Sequence, residues 1–230
     1  MKTIGLIGGM GWESSAEYYR LINEQMREQL GGLNSARILM LSVNHQEINE
    51  LETQDRWPEL LEMMTSASRS LEKGGADFIL ICCNLMHKIA DQIQNVVHIP
   101  FVHIVDAASE SINAAGLSTI GLLGARAVVE GAFFKDKLAA AGIRVMTPDK
   151  NAREFINNIV FNELAFGKII EKSRERTREI IDALKEKGAQ GVILACTELP
   201  MLIQQRDSVL PLFDTLRLHV EKAVRVALED

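Results

Sequence analysis

Residues 75–83 read GADFILICC, and residues 188–196 read GAQGVILAC. In both, Gly-Ala opens an apolar run of strand length, and a cysteine stands eight residues after the glycine. A second pair of segments agrees with the first: residues 3–8 are TIGLIG and residues 119–124 are TIGLLG. The offset is 113 residues for the first pair (75 to 188) and 116 for the second (3 to 119). Two independent matches at nearly one offset point to two related halves.

The segments around these echoes follow one rhythm. Short apolar runs at 2–7, 37–43, 78–82, 101–104, 119–123, 144–146 and 191–195 read as strands. Amphipathic patterns at 14–30, 57–73, 130–141, 171–187 and 215–228 read as helices. Strands alternating with helices imply mainly parallel sheets covered by helices. The expected fold is α/β: two pseudo-symmetric α/β domains with mainly parallel sheets and an active site in the cleft between them. Residues 1–100 with a C-terminal segment of about 208–230 make the first half, and residues 101–207 the second.

Composition narrows the function. The chain has 230 residues, 47% hydrophobic and 24% charged, enough to bury a sizeable core. Its net charge is −6 and it has no Lys/Arg run, so no nucleic-acid partner is expected. No apolar stretch approaches the length of a bilayer span, so no membrane partner is expected either. The opening MKTIGLIGGMG passes from a short apolar run straight into a Gly-rich turn. It reads as a buried first strand rather than a leader, and a cytoplasmic setting follows.

The three cysteines are Cys82, Cys83 and Cys196, an odd number that argues against a disulfide framework. Neighbours on a strand point to opposite faces, so Cys82 and Cys83 meet different surroundings. The echo aligns Cys83, not Cys82, with Cys196, and Cys82 reads as a buried apolar residue. Both aligned cysteines should end a strand and precede a helix. Ligands gather outside the carboxyl ends of such strands, and the positive end of a helix raises thiolate content there.

Two like thiols on either side of a cleft suit the inversion of a carbon centre. One removes a proton from one face and the other delivers a proton to the opposite face. A thiol pKa of about 8.5 can be tuned towards neutrality for this work. Backbone N–H groups at the two strand-to-helix turns could hold a substrate carboxylate as it gains charge.

Residues 83–87, Cys-Asn-Leu-Met-His, and residues 195–198, Ala-Cys-Thr-Glu, resemble the two cysteine motifs of the aspartate/glutamate racemase family. Residues 5–12, GLIGGMGW, resemble that family's N-terminal motif, and the likeness runs over essentially the whole chain. The resemblance implies an amino-acid racemase that works without pyridoxal phosphate or a metal, acts on an amino-acid substrate and often forms a homodimer. It carries over Cys83 and Cys196 as the acid/base pair. Met10, Gln46, Glu52, Asn84, Leu85, Thr197, Glu198 and Lys168 are the candidate substrate contacts, with Glu198 orienting the substrate amine. Simpler roles compete: Asn84 would cap a helix, and Glu198 would favour a first turn.

The chain departs from the family pattern in places. Leu85 stands where the family usually has Thr, and Glu52 where relatives often have Gln. Ile48 and Phe166 stand where some relatives have basic residues for a second carboxylate. Lys168 and Arg56 are nearby basic candidates, and a solvated surface role suits each as well. Losing the hydroxyl at Leu85 would cost a polar substrate about 1–3 kcal/mol. Three readings of Leu85 remain: a less polar substrate, a weakened enzyme, or an introduced substitution, the last favoured by the intact motif around it.

Rival chemistries fit less well. Gly-Gly-Met-Gly after the first strand lacks the acidic residue that a dinucleotide site carries at the tip of the second strand. His87, His98 and His103 are scattered and give no metal spacing. A cysteine hydrolase needs a base beside its thiol, and a helix after Cys83 would carry His87 away. A cis–trans isomerase or a decarboxylase of a small dicarboxylate, within the same superfamily, remains an alternative. So does a non-catalytic amino-acid-binding protein.

Overall fold

The computed structural model describes residues 1–229, as two compact units. The first holds Met1–Ile104 and the chain from His219 onward, and the second holds Val105–Leu218. In the first unit the elements are β1 (Ile4–Gly8), α1 (Trp12–Leu30), β2 (Ile38–Ser42), α2 (His45–Thr53), α3 (Trp57–Lys73), β3 (Phe78–Ile81) and α4 (Ala90–Gln94). α5 (Ile104–Ala114) leads into the second unit. There follow β4 (Thr119–Gly124), α6 (Arg126–Glu130), α7 (Ala132–Ala140), β5 (Arg144–Met146), α8 (Lys150–Asn162), α9 (Glu171–Glu186), β6 (Gly191–Ala195), α10 (Leu199–Leu202) and β7 (Leu212–Asp214). α11 (Thr215–Leu228) closes the chain, and from His219 it belongs to the first unit.

Both sheets are parallel and share one winding. The first runs β2-β1-β3 and the second β5-β4-β6-β7. The echoed segments hold like places: β1 and β4 are inner strands, and β3 and β6 each lie beside them. A single bridge from Ile79 to Phe101 marks in the first sheet the position that β7 fills in the second. The N–H groups of Ile79 and Val192 donate to the carbonyls of Pro100 and Pro211, each at 2.9 Å.

The inner strands form where the apolar runs predict them, because they are buried almost along their whole length, whereas β2, β5 and β7 are partly exposed. β1, β3 and β6 contain no exposed residue. Each unit has its own core. In the first, Leu60, Met64 and Leu71 of α3 pack with Ile7, Ile79 and Ile81 of the sheet. In the second, Ile156 and Ile159 of α8 and Ile180 and Leu184 of α9 pack with Val192 and Leu194. The spacing of 180, 181 and 184 is the apolar stripe of a helix lying on a sheet.

Three details differ from the sequence reading. The stretch 101–104 makes only the bridge at Phe101, because Ile104 already begins α5. The helical pattern at 130–141 is broken at Gly131, whose extended backbone ends α6 before α7 begins. The segment from 208 to 218 lies with the second unit rather than the first, because Leu212–Asp214 pairs with β6. A third echo could have revealed that strand: Ile99-Pro100-Phe101-Val102 matches Leu210-Pro211-Leu212-Phe213. Among the described residues no helix is long and apolar enough to cross a membrane.

Candidate active site

In the first unit, candidate residues gather at the carboxyl ends of β1 and β3. Cys82 continues the ladder, its N–H donating to the Ile7 carbonyl at 2.9 Å. Its side chain is fully buried, and burial pushes its thiol far up, with neighbouring Cys83 adding to the shift. It therefore stays protonated and apolar. Cys83, one residue on, is half-buried. Asn84 is buried, and a 3-10 turn over Leu85–Ile89 follows. In that turn His87 Nδ1 sits 2.8 Å from the Cys83 carbonyl oxygen.

The loop after β1 depends on Gly9, which has φ +98°. A Cβ there would lie 2.1 Å from the Val43 carbonyl oxygen, so the residue must be glycine. Its N–H donates to Ser15 Oγ at 2.8 Å, and the Ser15 hydroxyl donates to the Gly11 carbonyl. Met10 is buried in the apolar cluster that Cys83 and Leu85 also pack against.

The remaining first-unit candidates sit on α2, which Asn44 caps by accepting the Gln46 N–H. Gln46 is exposed and its side-chain amide donates to Glu50, along its own helix. Glu52 is half-buried. Burial raises its carboxyl, and His45 and Lys88 pull it back. Arg56 is exposed and pairs with Glu59 at 3.0 Å.

In the second unit, Cys196 directly follows β6 and is half-buried. Its thiol donates to Glu198 Oε2 at 2.8 Å, and the Thr197 hydroxyl donates to the same oxygen at 2.9 Å. One carboxylate oxygen therefore gathers both neighbouring donors. Lys168 is exposed, with its ammonium 5.7 Å from the Phe166 ring.

Two expectations need revision. The helices that were to polarise the thiols are a five-residue 3-10 turn after Cys83 and the four-residue α10 after Cys196. A macrodipole is a sum over aligned peptides, and such short segments supply little of it. The histidines are also less scattered than their spacing implies. The His87 ring centroid lies 4.7 Å from that of His103 and 5.4 Å from that of His219, while His98 stays exposed elsewhere. Among the described residues no group of three or more His, Cys, Asp or Glu could hold a metal ion. His219, on α11, and Tyr18, which bonds to it, have no signal in the sequence, since 201 positions separate them.

The profile of the Asp/Glu/Hydantoin racemase family matches residues 7–223. The chain belongs to this family. It is similar over its whole length to a Yersinia pestis protein assigned as an Asp/Glu racemase, with 42% identity, full coverage of both chains and a TM-score of 0.96. It is also similar to an aspartate racemase homologue from Pyrococcus horikoshii OT3, with 33% identity, full coverage of both chains and a TM-score of 0.90. Broad specificity amino-acid racemase RacX of Bacillus subtilis (strain 168) is 23% identical over 222 residues, covering 92% of each chain. The racemase family accounts for the two parallel α/β units.

Proposed function

We propose that this protein is a cofactor-independent amino-acid racemase in which Cys83 and Cys196 serve opposite faces of one substrate α-carbon. The observation that carries the reading is the matched position of the two thiols. Each is half-buried, and each stands just beyond the end of the equivalent strand in units of one winding. Family membership and the similarity to RacX support a racemase. An amino-acid range broader than aspartate and glutamate is supported by apolar Leu85 beside the first thiol. The exposed setting of Lys168 supports it as well.

In this mechanism one thiolate takes the α-proton and the opposite thiol gives its own to the other face. The proton count is unchanged over a cycle, and the roles reverse with the enantiomer. Glu198 accepts a hydrogen bond from the Cys196 thiol and so provides a base for making that thiolate. Buried Asn84 and the loop at Met10 are proposed to hold the substrate carboxylate. The homodimer and cytoplasmic setting belong to the same proposal, and light scattering checks the first.

The test is deuterium exchange at the α-carbon in heavy water, with both enantiomers of a panel of amino acids. The parent exchanges both enantiomers and racemises. Cys83→Ser and Cys196→Ser each lower racemisation by about 10²–10⁴-fold, while each retains exchange of a different enantiomer. Racemisation near the parent rate in either variant, or exchange of the same enantiomer in both, rules out the two-base mechanism.

A further inference from the structure

Three of the five histidines lie in one buried cluster of the first unit. His87 comes from the turn after Cys83, His103 from the residue before α5, and His219 from α11. Tyr18 of α1 joins them edge-on to His219, with centroids 5.6 Å apart. All four side chains are buried. Desolvating several polar rings costs free energy that leucine or phenylalanine would not, so packing alone is a poor reason for them.

Hydrogen bonds fix how the rings stand. His219 Nε2 lies 2.8 Å from the Val102 carbonyl oxygen, which can only accept, so Nε2 carries a proton. Burial, reinforced by His87 and Lys222, holds His219 uncharged, so its Nδ1 is a lone pair that accepts the Tyr18 hydroxyl at 2.8 Å. The same logic applies to His87: at 2.8 Å from the Cys83 carbonyl oxygen, Nδ1 must be the donor. The ring of His87 is then braced by His103 and His219.

We propose that His87 is a positioning residue for Cys83, its Nδ1–H holding the Cys83 carbonyl while His103 on one contact and the Tyr18-bonded His219 on another hold the His87 ring edge-on. The mechanism above draws on none of these four groups. The inference rests on the reading of Cys83 as an acid/base, because only then does the angle of its thiol matter to turnover. A racemising thiol must meet a small carbon from one side. A turn held by a rigid imidazole sets that approach better than a turn held by its backbone alone.

The test compares the parent with His87→Leu and His87→Asn. Leu removes the donor, whereas the Asn amide N–H falls about where Nδ1–H was. The first readout is the rate of iodoacetamide alkylation at Cys83 and Cys196, followed by peptide mass spectrometry. In His87→Leu, alkylation of Cys83 rises about fivefold, the effect of losing one hydrogen bond. It stays near the parent rate in His87→Asn, and Cys196 is unchanged in both variants. The second readout is exchange of the enantiomer that still exchanges in Cys196→Ser. It falls about tenfold in His87→Leu and recovers in His87→Asn, and the other enantiomer is unaffected. If His87→Leu does not fold, His87→Gln replaces it, since its amide reaches the Nε2 position instead. An unchanged Cys83 rate in the Leu or Gln variant overturns the inference, and so does an equal change at both cysteines. A parent that exchanges neither enantiomer defeats the racemase reading, and the alkylation rates still decide the positioning role.

Discussion

Cys83 and Cys196 follow strands with like places in their sheets, yet different polar groups surround them. Each thiol packs against the apolar cluster of its own unit, and at Cys83 an imidazole bonds the backbone carbonyl. At Cys196 a carboxylate bonds the thiol itself. The first loops diverge in the same way. After β1 the chain turns through Gly8 and Gly9, the latter at φ +98°; after β4 it turns through Gly124 and Ala125, the latter at φ −57°. Packing constrains what lies under the sheets and keeps the echoed strands alike. Polar contacts at the strand tips are local and have diverged between the halves.

The largest difference to test is at the first loops. Gly9→Ala puts a Cβ 2.1 Å from the Val43 carbonyl at a backbone angle that L-residues rarely adopt. It should cost about 3 kcal/mol or more, whereas Ala125→Gly in the other half should cost about 0.5–1 kcal/mol. Urea midpoints of the two variants measure both values, and similar losses would mean that the loops are more alike than they look.

The thiol partners give the next contrast. In Glu198→Gln the amide oxygen can still accept a hydrogen bond, but it is no longer a base for the Cys196 proton. Exchange of the enantiomer served by Cys196 should fall about tenfold or more, with little change for the one served by Cys83. Equal losses for both enantiomers would assign Glu198 to substrate binding, as the family motif first suggests.

The histidine cluster sits in the first unit and should make stability depend on pH. His219 is held below its ordinary value of 6.5, chiefly by burial and then by His87, with Lys222 adding a little and the Val102 carbonyl opposing. Tyr18 faces the same ring and His103 faces His87. Below pH 6.5 the unfolded chain takes up a proton that the folded ring refuses. The stabilising contribution is therefore complete above that pH and shrinks as pH falls towards the folded value. The slope is at most about 1.4 kcal/mol per pH unit. Thermal melting between pH 7.5 and 5 should show it in the parent, and a flatter slope in His219→Gln. A parent curve that is flat in this range counts against a neutral His219.

The smallest effect is expected at Leu85, which is half-buried against the first-unit cluster. Leu85→Thr should lose about 1 kcal/mol of stability and gain about fivefold in kcat/KM for polar amino acids. Steady-state rates across aspartate, glutamate and less polar amino acids test it. A rate unchanged or reduced throughout would show that Leu85 belongs to a different specificity.

Much of this molecule is legible in the linear chain. The GA…C and TIGL echoes carry the two-unit α/β fold and the parallel order of the sheets, and the strand alternation carries the different burial of Cys82 and Cys83. These properties follow from periodic burial, which is written residue by residue into strands such as 78–81 and 191–195. The late strand Leu212–Asp214 escapes because its three residues carry too little pattern, although the Pro-centred echo at 99–102 and 210–213 points to it.

Other features exist only after folding. The carboxylate of Glu198 turning onto the thiol two residues before it depends on the local backbone after β6. His87 reaching the Cys83 carbonyl depends on a 3-10 turn standing where a longer helix was expected. The pairing of Tyr18 with His219 joins residues 201 positions apart. A hydrophobic pattern records which side of an element is buried and is blind to which distant polar group it will meet. That meeting is decided when the first and last helices close on one unit, because each buried donor must then find the acceptor that packing has brought to it.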